Sequence, residues 1–153
     1  MAVYFLDSSA VVKRYVHEIG TLWVQQLADP ASANRIEIAS ITAVEVIAAI
    51  ARRQRAGHTS VQEAIRAIAR FRADLQSDFQ AIEITDAVVN HAMDLAERHG
   101  LRGYDAIQLA AALALSSICK AIGTPVTFVS ADGELNAAAL KESLAVEDPS
   151  ARP

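Results

Sequence analysis

Short apolar runs with no polar face, alternating with segments of helical period, constrain this chain most tightly. Residues 2–6, Ala-Val-Tyr-Phe-Leu, are apolar throughout and stop at Asp7-Ser8-Ser9. Residues 36–39, 81–84 and 126–129 are comparable short strands, and 145–147 reads as a fifth, at an edge. Strands that are apolar on both faces need cover on both faces. Helical spacing supplies it over residues 10–16, 21–27, 42–56, 59–75, 86–99 and 104–122, and from 133 to about 141. Strands alternating with helices predict an α/β fold around a parallel sheet. No linker or fixed-period repeat divides the 153 residues, so 1–153 reads as one domain, with a flexible, Pro-containing tail from about residue 149.

Composition narrows the class. The apolar fraction of 52% is enough for a real core, but aromatics are only 5%, so aliphatic residues and alanine must do the packing. The net charge of −4 argues against a surface that grips nucleic acid everywhere, while leaving room for a local basic groove. Cys119 is the one cysteine, which excludes an internal disulfide or a multi-cysteine zinc site and fits a reducing compartment. The N-terminus lacks a basic lead and breaks its apolar run after six residues, unlike a secretory signal. The longest apolar stretch, residues 106–119, is interrupted by Gln108, Ser116 and Ser117 and falls short of the roughly 20 residues a membrane helix needs. A soluble, cytoplasmic protein is expected.

Ligands of open α/β sheets bind beyond the carboxyl ends of the strands. Asp7 ends the first strand, Glu45 lies in the first turn after the second, and Asp132 lies just past the fourth. Asp105 opens the alanine-rich helix, and strand order alone does not place it. Each acid has a structural explanation: Asp7 and Asp132 as helix N-caps, Thr42 and Glu45 as a capping box, Asp105 as a partner of a helix dipole. Together, however, converging acids repel one another unless a cation joins them. Oxygen-only clusters suit Mg²⁺ or Mn²⁺. The spacing therefore points to a metal-dependent site for phosphoryl transfer or phosphodiester cleavage. A DxD phosphatase is excluded, because position nine is Ser9.

Four ordered motifs resemble those of PIN domains. They are Val3-Tyr4-Phe5-Leu6-Asp7-Ser8-Ser9-Ala10, Thr42-Ala43-Val44-Glu45-Val46, Leu101-Arg102-Gly103-Tyr104-Asp105-Ala106-Ile107-Gln108 with its alanine run, and Val129-Ser130-Ala131-Asp132 followed by Leu135 and Asn136. Within the family the resemblance is closest to VapC-type toxins of toxin–antitoxin pairs. It implies a three-layer α/β/α fold with a five-stranded parallel sheet in the order 3-2-1-4-5. It also implies a Mg²⁺- or Mn²⁺-dependent endoribonuclease whose acids are Asp7, Glu45, Asp105 and Asp132. Asp7, Asp105 and Asp132 would hold metal, with Glu45 binding directly or through water. Where some members carry a further acid, this chain offers Glu134 or Asn136, which leaves open whether one or two metals bind. Ser8, Thr42, Gln108, Ser130 and Asn136 are candidate supporting residues. No histidine is required, and His58 and His99, at helix ends, are expected to face solvent.

An acidic nuclease still needs cations for RNA. Lys13, Arg14 and Arg102 lie nearest the acids in sequence and are the candidate RNA contacts. Arg52, Arg53, Arg55, Arg66 and Arg70 read as solvated helix faces. The first two helices carry Val11, Val12, Tyr15, Val16, Leu22, Trp23 and Leu27, read first as core. The alternative, suggested by the resemblance, is a groove for a VapB-type antitoxin. A homodimer is the expectation from base rates. An antitoxin-independent RNA-processing nuclease and a non-catalytic metal-binding or interaction domain are the competing readings.

Overall fold

A computed structural model of the chain describes residues 1–152. In chain order its elements are β1 (Val3–Leu6), α1 (Ser8–Val12), α2 (Thr21–Leu27), β2 (Arg35–Ala39), α3 (Thr42–Arg55) and α4 (Val61–Ser77). They continue with β3 (Phe79–Ile82), α5 (Asp86–His99), α6 (Gly103–Ala121), β4 (Val126–Val129), α7 (Gly133–Lys141) and β5 (Ala145–Glu147). The five strands form one sheet in the order β3-β2-β1-β4-β5, and every neighbouring pair is parallel. The expected three-layer architecture is therefore present.

Alternating side chains on each strand feed two cores. Val3 and Phe5 of β1 and Phe128 of β4 pack with α5, α6 and α7 on one face. Leu6 and Val129, one residue further on, join Ile36 and Ile38 and pack with α1 to α4 on the other. The period of two across a pleated strand produces this division. Phe5 and Phe128 are register partners and stack at 5.8 Å between ring centroids. The alanine-rich α6 buries an unbroken run, with Leu109, Ala110, Ala111 and Ala112 all covered. Among the described residues no helix is long and apolar enough to cross a membrane.

Several boundaries differ from the sequence reading. The third strand, expected at 81–84, is Phe79–Ile82, because Phe79 must be buried beside Ile36 and Phe71. The displaced Glu83 and Ile84 lead into the Thr85 N-cap of α5 instead. The first helix starts at Ser8, two residues early, because the Asp7 side chain accepts from the Ala10 amide. His99 does not face solvent. Its side chain is buried and bonded to Glu142 Oε1 at 2.7 Å, while Arg98 donates to the same oxygen at 2.6 Å, tying α5 to the end of α7. His58 is exposed, as expected.

The stretch expected as a flexible tail forms a 3₁₀ turn, Pro149–Ala151, with Pro149 buried. Its seat is Gly20, where φ is +88° and a Cβ would lie 2.2 Å from the Pro149 carbonyl oxygen. Gly20→Ala should cost about 2–3 kcal/mol, from left-handed strain plus this clash, read as a lower urea midpoint. Removing residues 149–153 in the Gly20→Ala background should recover the clash and leave the backbone strain.

Candidate active site

β1 lies between β2 and β4, so the carboxyl ends of these three strands are adjacent. Asp7 leaves β1 there, and its amide extends the ladder by donating to the Val129 carbonyl at 3.1 Å. The Asp7 carboxylate is buried and held from three sides. Oδ1 accepts from the Ala10 amide at 2.9 Å and the Ser9 hydroxyl at 2.7 Å, and Oδ2 accepts from the Ser130 hydroxyl at 2.7 Å. The Ser130 and Ser9 hydroxyls in turn accept from the amides of Asp132 and Ala131, at 3.0 and 2.9 Å. One hydroxyl network thus joins the ends of β1 and β4. Asn136 reinforces it by donating from Nδ2 to the Ser130 carbonyl at 2.8 Å.

A second network joins α3 to α6. Gln108 is fully buried and donates from Nε2 to Glu45 Oε2 at 2.6 Å and to the Thr42 hydroxyl at 2.9 Å. This overturns the capping-box reading of Thr42 and Glu45: α3 starts after Ile41, with no side-chain cap, and both residues turn to Gln108. The real capping box is Ser60 with Glu63, at the start of α4. The Gln108 contacts also place the start of α6, and hence Asp105, over the strand ends.

The carboxylates feel one another. Burial drives the Asp7 carboxyl up to about 6 against the pull of its hydrogen bonds, and the Asp105 charge adds to the rise. Burial likewise raises Glu45, opposed by Gln108 and Ser8 and assisted by Asp105. Asp105 is itself raised, by burial and then by Asp132, with Arg102 opposing and Glu134 contributing. Asp105 is therefore the hub to which the other three acids couple. Asp132 is an N-cap, as its structural reading has it, but both amides it accepts, from Glu134 and Leu135, bind Oδ1.

The donor set consists of oxygen ligands alone, carboxylates and hydroxyls, the chemistry that suits Mg²⁺ or Mn²⁺. The buried Asn136 Oδ1, next to this network, has no hydrogen-bond partner, and an unsatisfied buried oxygen is a cost that a cation or its water would remove. Among the described residues, no three His, Cys, Asp or Glu side chains form a closed metal-binding group. The acids are gathered around Asp105 without closing on a common point.

The profile of the PIN domain matches residues 4–141, nearly the whole chain. The chain belongs to the PIN-domain family. Its VapC-type character shows in two relatives from Mycobacterium tuberculosis strains, Ribonuclease VapC45 and Ribonuclease VapC49. Each is 32% identical over 118 residues, covering 75% of this chain and 78% of the relative. Among solved structures, VapBC2 from Rickettsia felis, bound to a DNA fragment from its promoter, superposes with a TM-score of 0.63 at 17% identity. The match covers 95% of this chain and 98% of that one. VapC20 from Mycobacterium tuberculosis, a Sarcin-Ricin loop cleaving toxin, gives 0.61 at 18% identity over 88% and 94%.

In this PIN domain Asp7, Glu45 and Asp132 stand at the carboxyl ends of neighbouring strands and Asp105 at the start of α6, with Thr42 and Gln108 bonded on the Glu45 side and Ser130 and Asn136 on the Asp7 side. Lys13 and Arg14 do not serve as candidate RNA contacts. Both are buried: Lys13 bonds Glu18 at 3.0 Å and the Ile19 carbonyl at 2.9 Å, and Arg14 pairs with Asp78 at 2.6 Å and Asp74 at 3.4 Å. Proximity in sequence misplaced them, because the turn that follows α1 directs their side chains into the body. Arg102 is exposed and acts on Asp105. Ser9 is the residue that sequence reasoning missed as a participant. Its signal was its place two residues after an N-cap aspartate, within reach of that carboxylate.

Because the folded-state carboxyl of Asp7 is raised, its favourable contribution is complete below the ordinary value of 3.8 and is lost as pH rises through about 6. At neutral pH without divalent metal, Asp7→Asn should therefore raise the unfolding midpoint, by about 5 °C. Asn still caps the helix, and the gain should vanish in melts below pH 3.8. Gln108→Leu should cost about 1–3 kcal/mol by leaving Thr42 and Glu45 unsatisfied. Adding Thr42→Val should cost little more, as a double-mutant cycle in urea will show.

Proposed function

We propose that this PIN domain is a Mg²⁺- or Mn²⁺-dependent endoribonuclease, and the toxin of a toxin–antitoxin pair. The observation that carries the reading is the placement of Asp7, Glu45 and Asp132 just past the carboxyl ends of β1, β2 and β4, with Asp105 at the start of α6, which Gln108 ties to Glu45. The ribonuclease names of the relatives support the activity, and the VapBC name of a structural neighbour supports a VapB-type antitoxin as partner. The free, buried Cys119 accords with action in a reducing cytoplasm, and we take the working unit to be a homodimer.

Asp7, Asp105 and Asp132 would hold the metal, with Glu45 binding directly or through water. When bound, the ion offsets their repulsion, lowers the pKa of a water and stabilises charge on the phosphate. Ser9, Ser130 and the Ala10 amide keep the Asp7 carboxylate in one orientation. Gln108 restrains Oε2 of Glu45 and so fixes how that carboxylate is presented to the metal or its water. Burial raises the Glu45 carboxyl, and a cation held beside it would offset that rise. Arg102, near Asp105, offers a positive charge to the RNA backbone.

RNA cleavage by the purified chain with Mg²⁺ or Mn²⁺, and its loss in EDTA, tests the activity. Asp7→Asn and Asp105→Asn should each lower the rate by about 100-fold or more; wild-type rates in both would refute the site. Expression should arrest growth, and co-expression of a cognate antitoxin should relieve the arrest.

A further inference from the structure

Asn136 is the member of the hydroxyl network whose hydrogen bonding the protein leaves incomplete. It lies one helical turn beyond Asp132, its backbone amide donating to the Asp132 carbonyl at 2.9 Å, so the two residues share one side of the start of α7. The other buried residues of α7 are Leu135, Ala138 and Ala139, and Asn136 is itself only 9% exposed. A buried carboxamide is costly unless both its ends are bonded. One end is, because Nδ2 donates to the Ser130 carbonyl at 2.8 Å. That bond admits a single orientation of the group, since a carbonyl can be met only by the NH₂ end. Oδ1 is thereby fixed at the other end, enclosed and without a donor. Among the described residues it is the one buried side-chain acceptor in that condition.

The donors of the network are already engaged. The hydroxyls of Ser9 and Ser130 donate to Asp7, the amides of Ala131 and Asp132 donate to those hydroxyls, and the amides of Glu134 and Leu135 donate to Asp132 Oδ1. A proton for Asn136 Oδ1 therefore has to arrive with a ligand. We propose that Asn136 is a positioning residue whose Oδ1 accepts a hydrogen bond from a water carried by the divalent cation of the carboxylate site. The inference rests on the metal-dependent reading above and adds to it the form in which the ion is held, with part of its hydration kept. Mg²⁺ dehydrates reluctantly and is usually bound through one or two carboxylates with several waters retained. An oriented acceptor outside the ligand shell fixes such a water in place. An amide suits position 136 better than an acid does: it donates to Ser130 and accepts from water, without adding charge to carboxylates that repel one another.

The test is Mn²⁺ binding by the full chain without RNA, read from the loss of the free ion's electron paramagnetic resonance signal. Asn136→Leu keeps the volume and removes both polar ends, and should weaken Mn²⁺ binding about 10-fold or more. Asn136→Asp removes the donor to Ser130 but keeps an acceptor, so it should bind Mn²⁺ at least as tightly as wild type. Both variants should lower the urea midpoint without metal, because both lose the Ser130 contact, and that change alone reports a structural role. Should Asn136→Leu fail to fold, Asn136→Ala, in a helix that already carries three alanines in a row, makes the same comparison. Equal Mn²⁺ affinity in wild type and Asn136→Leu would overturn the proposal. So would equal weakening in Asn136→Leu and Asn136→Asp, which would assign the whole effect to the Ser130 contact. In either case RNA cleavage by wild type that stops in EDTA would leave the nuclease reading intact. Wild type that neither binds Mn²⁺ nor cleaves RNA would overturn the two together.

Discussion

Mutual repulsion among carboxylates drawn to one edge of a sheet is the constraint on which the rest of this structure depends. Asp7 is buried and Glu45 and Asp105 are partly so, and each is pushed towards its neutral form by desolvation and by the others. Such an arrangement lasts only if the surroundings leave the side chains no easy way to separate. Asp7 is fixed by two hydroxyls and an amide, Glu45 by a buried amide group, and Asp132 by the helix it caps. The polar interior therefore works against the local electrostatics.

The resistance to that strain comes from the sheet. Every strand is parallel, and β1 contributes to both cores, so its end cannot shift without disturbing packing on two faces. Close-packed interiors transmit such displacements rather than absorbing them. Alanines along α6 allow that helix to lie near the sheet, and its first turn then delivers Asp105 and Gln108 together. The aromatic-poor composition is thus part of how the site is assembled.

Much of this was legible in the chain. The fourth and fifth strands fall at the expected residues, and the alternation of elements announced the α/β class. Strand order and the position of Asp105 came instead from the family resemblance, since periodicity carries no information on which strands adjoin. The third strand was misplaced by two residues because Phe79 answers to the tertiary core. The same short pattern, Ser or Thr three residues before Glu, is a capping box at Ser60 and not at Thr42. What separates them is Gln108, 66 residues beyond Thr42, which no local reading could include. Lys13 and Arg14 failed for a related reason: distance along the chain does not tell which way the turn after a helix sends its side chains.

Asp132 caps α7 through one oxygen alone. Oδ1 closes the start of α7, and the other oxygen is left to the site. Asp7 likewise begins α1 while belonging to the acidic group. A change from acid to amide at either position removes a charge and keeps the cap. Fold and chemistry are separable here by a single atom. A duplicated copy of such a gene could lose catalysis in one step, keep its shape and its partner-binding surfaces, and persist as a decoy that titrates whatever restrains the active form.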